Sequence, residues 1–215
     1  MIRNKSIIFI LFSVSLLFIA CSGGVKDIDR NRYGVVIIGD QEWMTANLSV
    51  SRFRNGDPIP EAKTPEEWML HGREGKPAWC IQKNTGENGP LYGKLYNWYA
   101  VSDPRGLAPE GWHIPSDDEW KKFTDFLGGE ITAAFKIRTT GLDGSDEAGF
   151  GGLAGGGCNA SGNLNSLGSH GFWWTSTEVT HSSAWMRQLN YVQSSLNSIV
   201  LDKNSGLSVR CIKGK

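Results

Sequence analysis

The chain has no Cys-x-x-Cys pair, no excess charge of either sign, no clustered histidines and no apolar run of bilayer length. Each absence closes a class of function. Without Cys-x-x-Cys there is neither a zinc ribbon nor a thioredoxin-type redox motif. With 22 basic residues against 22 acidic ones, there is no basic excess to release counterions from nucleic acid. His71, His113, His170 and His181 lack metal-ligand spacing and read as structural. Charged residues make up only 20%, and few long helical patterns are visible, which sets aside an all-helical bundle. What the 215 residues do hold is 27 Gly, 9 Trp and 40% hydrophobic side chains: a globular mix rich in turns and large flat rings.

The longest apolar stretch, Ile7 to Ile19, is interrupted only by Ser13 and Ser15. It is much shorter than the about 20 residues that a bilayer span requires. Arg3 and Lys5 precede it and the small Ala20 closes it, the layout of a secretory signal. Phe18-Ile19-Ala20-Cys21 resembles a bacterial lipobox, with Phe18 where Leu is usual. Cys21 is therefore expected to carry the lipid and to begin the mature chain; an ordinary signal peptide cut nearby is the alternative. Acyl chains contribute about 0.8 kcal/mol per buried CH₂, so two or three of them would make a lasting anchor. The organisation read from the sequence is a signal peptide over 1–20, a polar tether over 21–32 and one domain over 33–215. The expected location is the cell outer membrane, lipid-anchored, facing the periplasm or the exterior. Lys26-Asp27-Ile28-Asp29 loosely resembles the acidic surface-export signals of Bacteroidetes-like bacteria. Loss of residues 1–20 removes two bases and no acid, leaving 20 basic against 22 acidic residues and a net charge of −2.

Along the mature chain, Tyr33–Ile38 and Glu42–Leu48 read as strands joined by a Gly39-Asp40 turn. Thr64-Pro65-Glu66-Glu67-Trp68 has the layout of a helix start: a capping Thr, Pro at the first position, acids in the first turn. Leu95–Val101 suits either a short buried helix or a strand. Ser116-Asp117-Asp118-Glu119 is a capping box, and Trp120, Phe123 and Leu127 follow on one face, so a helix is predicted over Asp117–Leu127 with Gly128-Gly129 as its stop. Gly141 to Gly171 is a long Gly-rich loop region, with eleven Gly in thirty-one residues. Phe172–Glu178, Ala184–Tyr191, Ser195–Leu201 and Leu207–Ile212 read as antiparallel terminal strands. Helices, a loop region and a run of strands make an α+β domain.

Five segments carry a family resemblance. Ile38-Gly39-Asp40-Gln41-Glu42-Trp43-Met44-Thr45-Ala46-Asn47-Leu48 is similar to an IGxQxWMxxNL motif. Tyr92-Gly93-Lys94-Leu95-Tyr96-Asn97-Trp98-Tyr99-Ala100-Val101 is similar to YGxLYNWYAV. Gly111-Trp112-His113-Ile114-Pro115-Ser116 with Glu119-Trp120, Trp173-Trp174-Thr175-Ser176-Thr177-Glu178, and Ser208-Val209-Arg210-Cys211 supply the other three. In this order they resemble the Fibrobacter succinogenes major paralogous domain over roughly residues 33–213. That resemblance implies an exported lipoprotein or surface protein. More distantly the stretch resembles the C-type lectin-like fold and its formylglycine-generating-enzyme relatives, which implies two short helices, Leu95–Val101 and Asp117–Leu127. Where the family usually has a Cys, this chain has Ala108, which implies that Cys211 has lost its usual partner. Cys158 or Cys80 is then the candidate substitute, and Cys158–Cys211 is the disulfide this reading puts forward.

The enzyme relatives need paired thiols near the C-terminus to bind copper, and only Cys211 stands there; the chain therefore reads as non-catalytic. Ser176 and Glu178 have no His in an elbow context. The lectin-like relatives imply calcium or sugar, and Asp143, Asp146, Glu147, Asn159, Asn163 and Asn165 offer hard oxygens in the Gly-rich region. The same residues are equally turn formers, and no other cofactor is expected. Most Trp, including Trp43, Trp98, Trp112, Trp120 and Trp185, read as core. Trp173 and Trp174 are adjacent on a strand, so one is expected inside and one free to contact a ligand. The resulting expectation is a membrane-anchored binding module for glycan or protein, with the Gly-rich region as its variable part. A surface assembly component and a degenerate sulfatase-modifying enzyme are the alternatives.

Overall fold

The computed structural model describes residues 24–83, 91–139 and 144–214. Cys21, the signal peptide and Asp143 lie outside them. Two short strands, β1 (Val25–Lys26) and β2 (Arg32–Tyr33), open the described chain as an antiparallel pair. This corrects the tether reading from Gly24 onward. Asp27 is buried and accepts hydrogen bonds from Asn31 and from the Tyr33 hydroxyl at 2.6 Å, while Asp29 pairs with Arg52 at 2.9 Å. The acids that look like a solvated linker are therefore the polar fasteners of a folded hairpin.

The next hairpin, β3 (Val35–Ile38) and β4 (Gln41–Met44), turns at Gly39-Asp40 as the sequence predicts. The second strand ends at Met44: Thr45 N still donates to Gly34 O, at the foot of the same hairpin, but Leu48 N has already turned to Val209 O. Helix α1 (Pro65–Arg73) begins under the Thr64 cap, whose hydroxyl accepts the Glu67 amide. β5 (Trp79–Ile81) pairs antiparallel with β6 (Lys94–Tyr96), which leads through the Asn97 cap into α2 (Trp98–Val101). The Leu95–Val101 segment is thus a strand and then a helix.

After β7 (Trp112–His113), the predicted capping box starts α3 (Asp117–Phe126): Glu119 N donates to Ser116 Oγ, and the Glu119 carboxylate accepts the Ser116 amide at 2.8 Å. Gly128 and Gly129, at φ of 101° and 90°, stop that helix. A further helix, α4 (Glu130–Ile137), follows at once and buries Ala133, Ala134 and Ile137. The described residues therefore hold four helices rather than two.

The Gly-rich region is not a plain loop. It contains the hairpin β8 (Gly155–Cys158) and β9 (Leu164–Leu167). β10 (His170–Thr180), β11 (Ser183–Asn190) and β12 (Ser195–Asp202) follow as antiparallel neighbours, and β8 joins β10 in parallel, giving a five-stranded sheet in the order β12-β11-β10-β8-β9. The last element, β13 (Ile212–Lys213), lies between β4 and β7. The expected strand over Leu207–Ile212 is mostly absent. Its backbone changes partner almost residue by residue, with Gly206 on Cys158, Leu207 on Tyr96 and Ser208 on Phe172 and Trp174. The segment is fully buried, which explains why it reads like a strand.

Three core clusters result. The first surrounds Met44, Tyr96, Trp174 and Cys211; the second Trp43, Trp120, Phe123, Phe150 and Trp173; the third Trp68, Ala78, Cys80, Leu95 and Cys158. β10 runs between the first two, so both of its faces are covered. Trp173 and Trp174 do point to opposite sides, and both are 0% exposed. This overturns their assignment as a contact pair. Trp185, expected in the core, is the half-buried one.

Candidate functional site

The third cluster lies beneath a cleft of about 360 Å³. One wall is the chain leading into α1. Glu67 accepts the Lys63 amide while Thr64 caps the helix, so both ends of this turn are fixed locally. Below it, Trp68 is buried and its indole N–H donates to Asn204 O at 2.7 Å. The second wall is β5, held to residues 60–62 by Trp79 N to Pro60 O and Ala62 N to Trp79 O. Ile81 projects outward from it, and Lys83 Nζ reaches across to Lys63 O.

The third wall is the β8–β9 hairpin. Its tip is an Asn-centred turn: Asn159 Oδ1 accepts the amides of Ser161 and Asn163. Gly162, at φ 79°, sits directly on α1, and a Cβ there would come within 2.5 Å of Pro65 Cα. Gly206 lies between Trp68 and Cys158, where a Cβ would fall 2.8 Å from the indole and 3.0 Å from the Cys158 Cβ. These two glycines let the hairpin and the helix close on each other. Apolar Pro65, Ile81 and Leu164 and polar Glu61, Lys63, Lys83 and Asn163 are arranged around the opening.

Two thiols form part of the lining. Cys80, on β5, and Cys158, on β8, belong to the same buried cluster, and the Cys158 thiol reaches Asn159 O at 3.5 Å. The neighbouring Cys158 thiol, together with burial, drives the Cys80 thiol above its ordinary range, and the neighbouring Cys80 holds Cys158 below it. Cys211 stands apart in the first cluster, its thiol pushed up to about 12 by burial. All three are free, and Cys158 lies beside Cys80 rather than Cys211. The proposed Cys158–Cys211 bridge is therefore not formed: one thiol is packed with Trp68, the other with Met44 and Ala108.

The other candidate ligand residues divide in two. Asn159, Asn163 and Asn165 share the hairpin, where Asn165 Nδ2 donates to Asn163 O at 3.4 Å. Asp146 and Glu147 lie in the turn after α4. There Asp146 accepts the Gly151 amide and Glu147 pairs with Lys136 at 3.2 Å. Burial raises the Asp146 pKa. Of the oxygens offered for calcium, those of Asn159 and Asp146 are taken by turn hydrogen bonds and that of Glu147 by an ion pair, on two separate segments. Among the described residues, no group of three or more His, Cys, Asp or Glu side chains could hold a metal ion.

A model of the Fibrobacter succinogenes major domain matches residues 36–213. The chain belongs to that family. No curated protein and no solved structure matches it.

The motif residues of the Fibrobacter succinogenes major domain occupy the frame rather than the cleft. Arg210 is fully buried. Its guanidinium donates to Asn47 Oδ1 at 2.7 and 3.1 Å, to Met44 O and Gly151 O at 3.1 Å, and to Phe150 O. Burial depresses its pKa to about 9. Asn47 Oδ1 also accepts the Trp173 indole N–H at 2.8 Å, and Asn47 Nδ2 donates to Tyr92 O at 3.0 Å. One asparagine thus ties four of the five motifs together. Trp174 donates to Tyr96 O and Trp98 to Thr175 O, joining two of them again. The remaining motif contributes Trp120, 4.8 Å from Trp43 and 6.1 Å from Trp173 between ring centroids. The walls of the cleft come from three separate segments, 61–68, 80–83 and 158–164, so no local pattern marks it as a unit. Of the ligand residues expected from the sequence, Asn163 lines it, and the cysteines Cys80 and Cys158 are the other signal outside the motifs.

Proposed function

We propose that the chain is a lipid-anchored cell-envelope protein whose domain is a non-catalytic binding module, taking a glycan or protein group in the cleft between α1, β5 and the β8–β9 hairpin. The observation that carries this reading is the division of labour in the molecule. The motif residues that pack the core serve the frame, while the cleft above Trp68, which combines apolar side chains with hydrogen-bonding groups, is lined from outside the motifs; an opening of similar size, about 350 Å³, is bordered mainly by the charged and polar side chains of Asp40, Gln41, Glu42, Glu119, Lys122 and Lys213. The volume of the cleft above Trp68 falls in the lower part of the about 300–1,000 Å³ usual for small-ligand sites. Apolar Ile81 and Leu164 beside Lys63, Lys83 and Asn163 offer what a sugar face or a peptide side chain requires: an apolar patch with hydrogen-bond donors at its edge. The order α2, α3, Gly-rich region and terminal strands supports a C-type lectin-like arrangement. Anchoring rests on the Ile7–Ile19 stretch and Cys21. No helix among the described residues is long and apolar enough to cross a membrane.

Glycan and protein arrays probed with the full chain in detergent micelles test the module, with Ile81→Ser as the cleft variant. Binding by the chain and its loss in a variant that unfolds at the same temperature is the expected result. A folded chain that binds nothing, or equally well with the altered cleft, overturns it. The assembly reading has its own support in a set of exposed apolar residues on α3 and α4, where Phe126 is 65% and Ile131 72% exposed and Phe135 also faces outward. Sedimentation of the chain and of Ile131→Glu separates the two, because only assembly through that face loses self-association in the variant.

A further inference from the structure

Cys80 and Cys158 are 78 positions apart in sequence, yet they meet in the lining of the cleft, from β5 on one side and β8 on the other. We propose that Cys80 and Cys158 form an oxidation site, a dithiol that a peroxide closes into a disulfide linking β5 to β8 across the cleft. The proposal does not depend on what the cleft binds.

The placement supplies what the chemistry needs. Both thiols pack in one buried cluster with Trp68 and line the same cleft, so the two sulfurs come from adjacent walls of a single opening. Burial beneath the cleft excludes bulky oxidants and admits a molecule the size of hydrogen peroxide. The two thiols are also unequal. Cys158 is the more readily ionised and takes the role of nucleophile, while Cys80 keeps its proton until the second step.

In the first step the Cys158 thiolate attacks one peroxide oxygen. An S–O bond forms, the O–O bond breaks, and the departing hydroxide takes up a proton to leave as water. The product is a sulfenic acid. In the second step the Cys80 sulfur attacks the Cys158 sulfur. An S–S bond forms, the S–O bond breaks, and the leaving hydroxide takes the Cys80 proton as a second water. Two thiols lose two electrons, and one hydrogen peroxide is reduced to two waters. Cys211 has no part in this, because it is packed in a different cluster with its pKa raised by burial.

The test is hydrogen peroxide treatment of the full chain, followed by alkylation under denaturing, non-reducing conditions and peptide mapping. Of the three thiols Cys80, Cys158 and Cys211, two are expected to disappear together, with the peptides holding Cys80 and Cys158 recovered as one linked species that a reductant separates. Cys211 is expected to remain alkylatable. In Cys80→Ser, a cyclic 1,3-dione is expected to trap the sulfenic acid on Cys158. A link that includes Cys211 or Cys21, a link between two chains, or retention of all three thiols overturns the proposal. So does oxidation of Cys158 beyond sulfenic acid in the unaltered chain without a linked peptide. The mapping of the unaltered chain decides the matter even if the variant does not fold.

Discussion

Around Arg210 the structure is closed by polar groups: a guanidinium, an asparagine amide, an indole N–H and three backbone carbonyls satisfy one another in a dry core. Around Trp68 it is closed by shape: an indole, two thiols and two glycines let a hairpin rest on a helix, and the seam stays open as a cleft. The first arrangement is directional. Each donor has one acceptable position, so the segments that supply it cannot vary independently. The second is tolerant, since apolar contact has no required direction and the opening faces solvent. Directional bonds thus hold the motif segments to one another, while the cleft above Trp68 is walled by other segments.

The strongest way to break this contrast is Arg210→Met. It removes the Arg210 donors from the carbonyls of Met44, Phe150 and Gly151 and leaves Asn47 Oδ1 with the Trp173 indole N–H alone. A loss of roughly 3–5 kcal/mol is expected in urea unfolding. A variant as stable as the parent would show that the frame is held by packing alone. Trp173→Phe is milder: it keeps an aromatic ring but loses the hydrogen bond to Asn47 and leaves a small cavity in the core, and about 2–3 kcal/mol should be lost in the same measurement.

Ser116→Ala removes the α3 cap and is expected to cost about 1 kcal/mol. The cap also has a pH signature. Burial would raise the Glu119 pKa, but the Ser116 amide and His113 outweigh it and hold the carboxyl below its ordinary value of 4.5. A depressed acid contributes its stability in full above the unfolded value and loses it as pH falls through the folded one. Stability should therefore decline below about pH 4.5, and Glu119→Gln should flatten that part of the profile. The smallest effect belongs to the other region. Ile81→Ser, on the exposed face of β5, should change stability by no more than about 0.5 kcal/mol while lowering ligand affinity several-fold in titration calorimetry. A destabilisation as large as that of Trp173→Phe would make the cleft wall part of the frame.

The elements legible in the sequence are those closed by near neighbours. Thr64-Pro65, the Ser116–Glu119 box and the Gly39-Asp40 turn each complete their hydrogen bonds within four residues, so the local pattern is sufficient. Elements closed by distant partners were misread. Asp27 and Asp29 look like linker acids until Tyr33, Ser51 and Arg52 take them up. The stretch from Leu207 to Ile212 looks like a strand until its amides and carbonyls are found on Tyr96, Phe172, Trp174, Leu48 and Met44. α4 was hidden because a pair of glycines that ends one helix also begins the next.

By itself the sequence determined the α+β class, the family, and the caps and hairpin turns, because each depends on residue identity or on short-range spacing. Tertiary structure decided three other matters. It buried both Trp173 and Trp174, because β10 has a core on each face and alternation alone cannot say how many faces are wet. It placed Asp146 and Glu147 away from Asn159, Asn163 and Asn165, since turns satisfy their own oxygens first. And it brought Cys80 to Cys158 rather than either to Cys211, because side-chain proximity across 78 positions follows from how β5 and β8 pack on Trp68, a long-range outcome that no local pattern encodes.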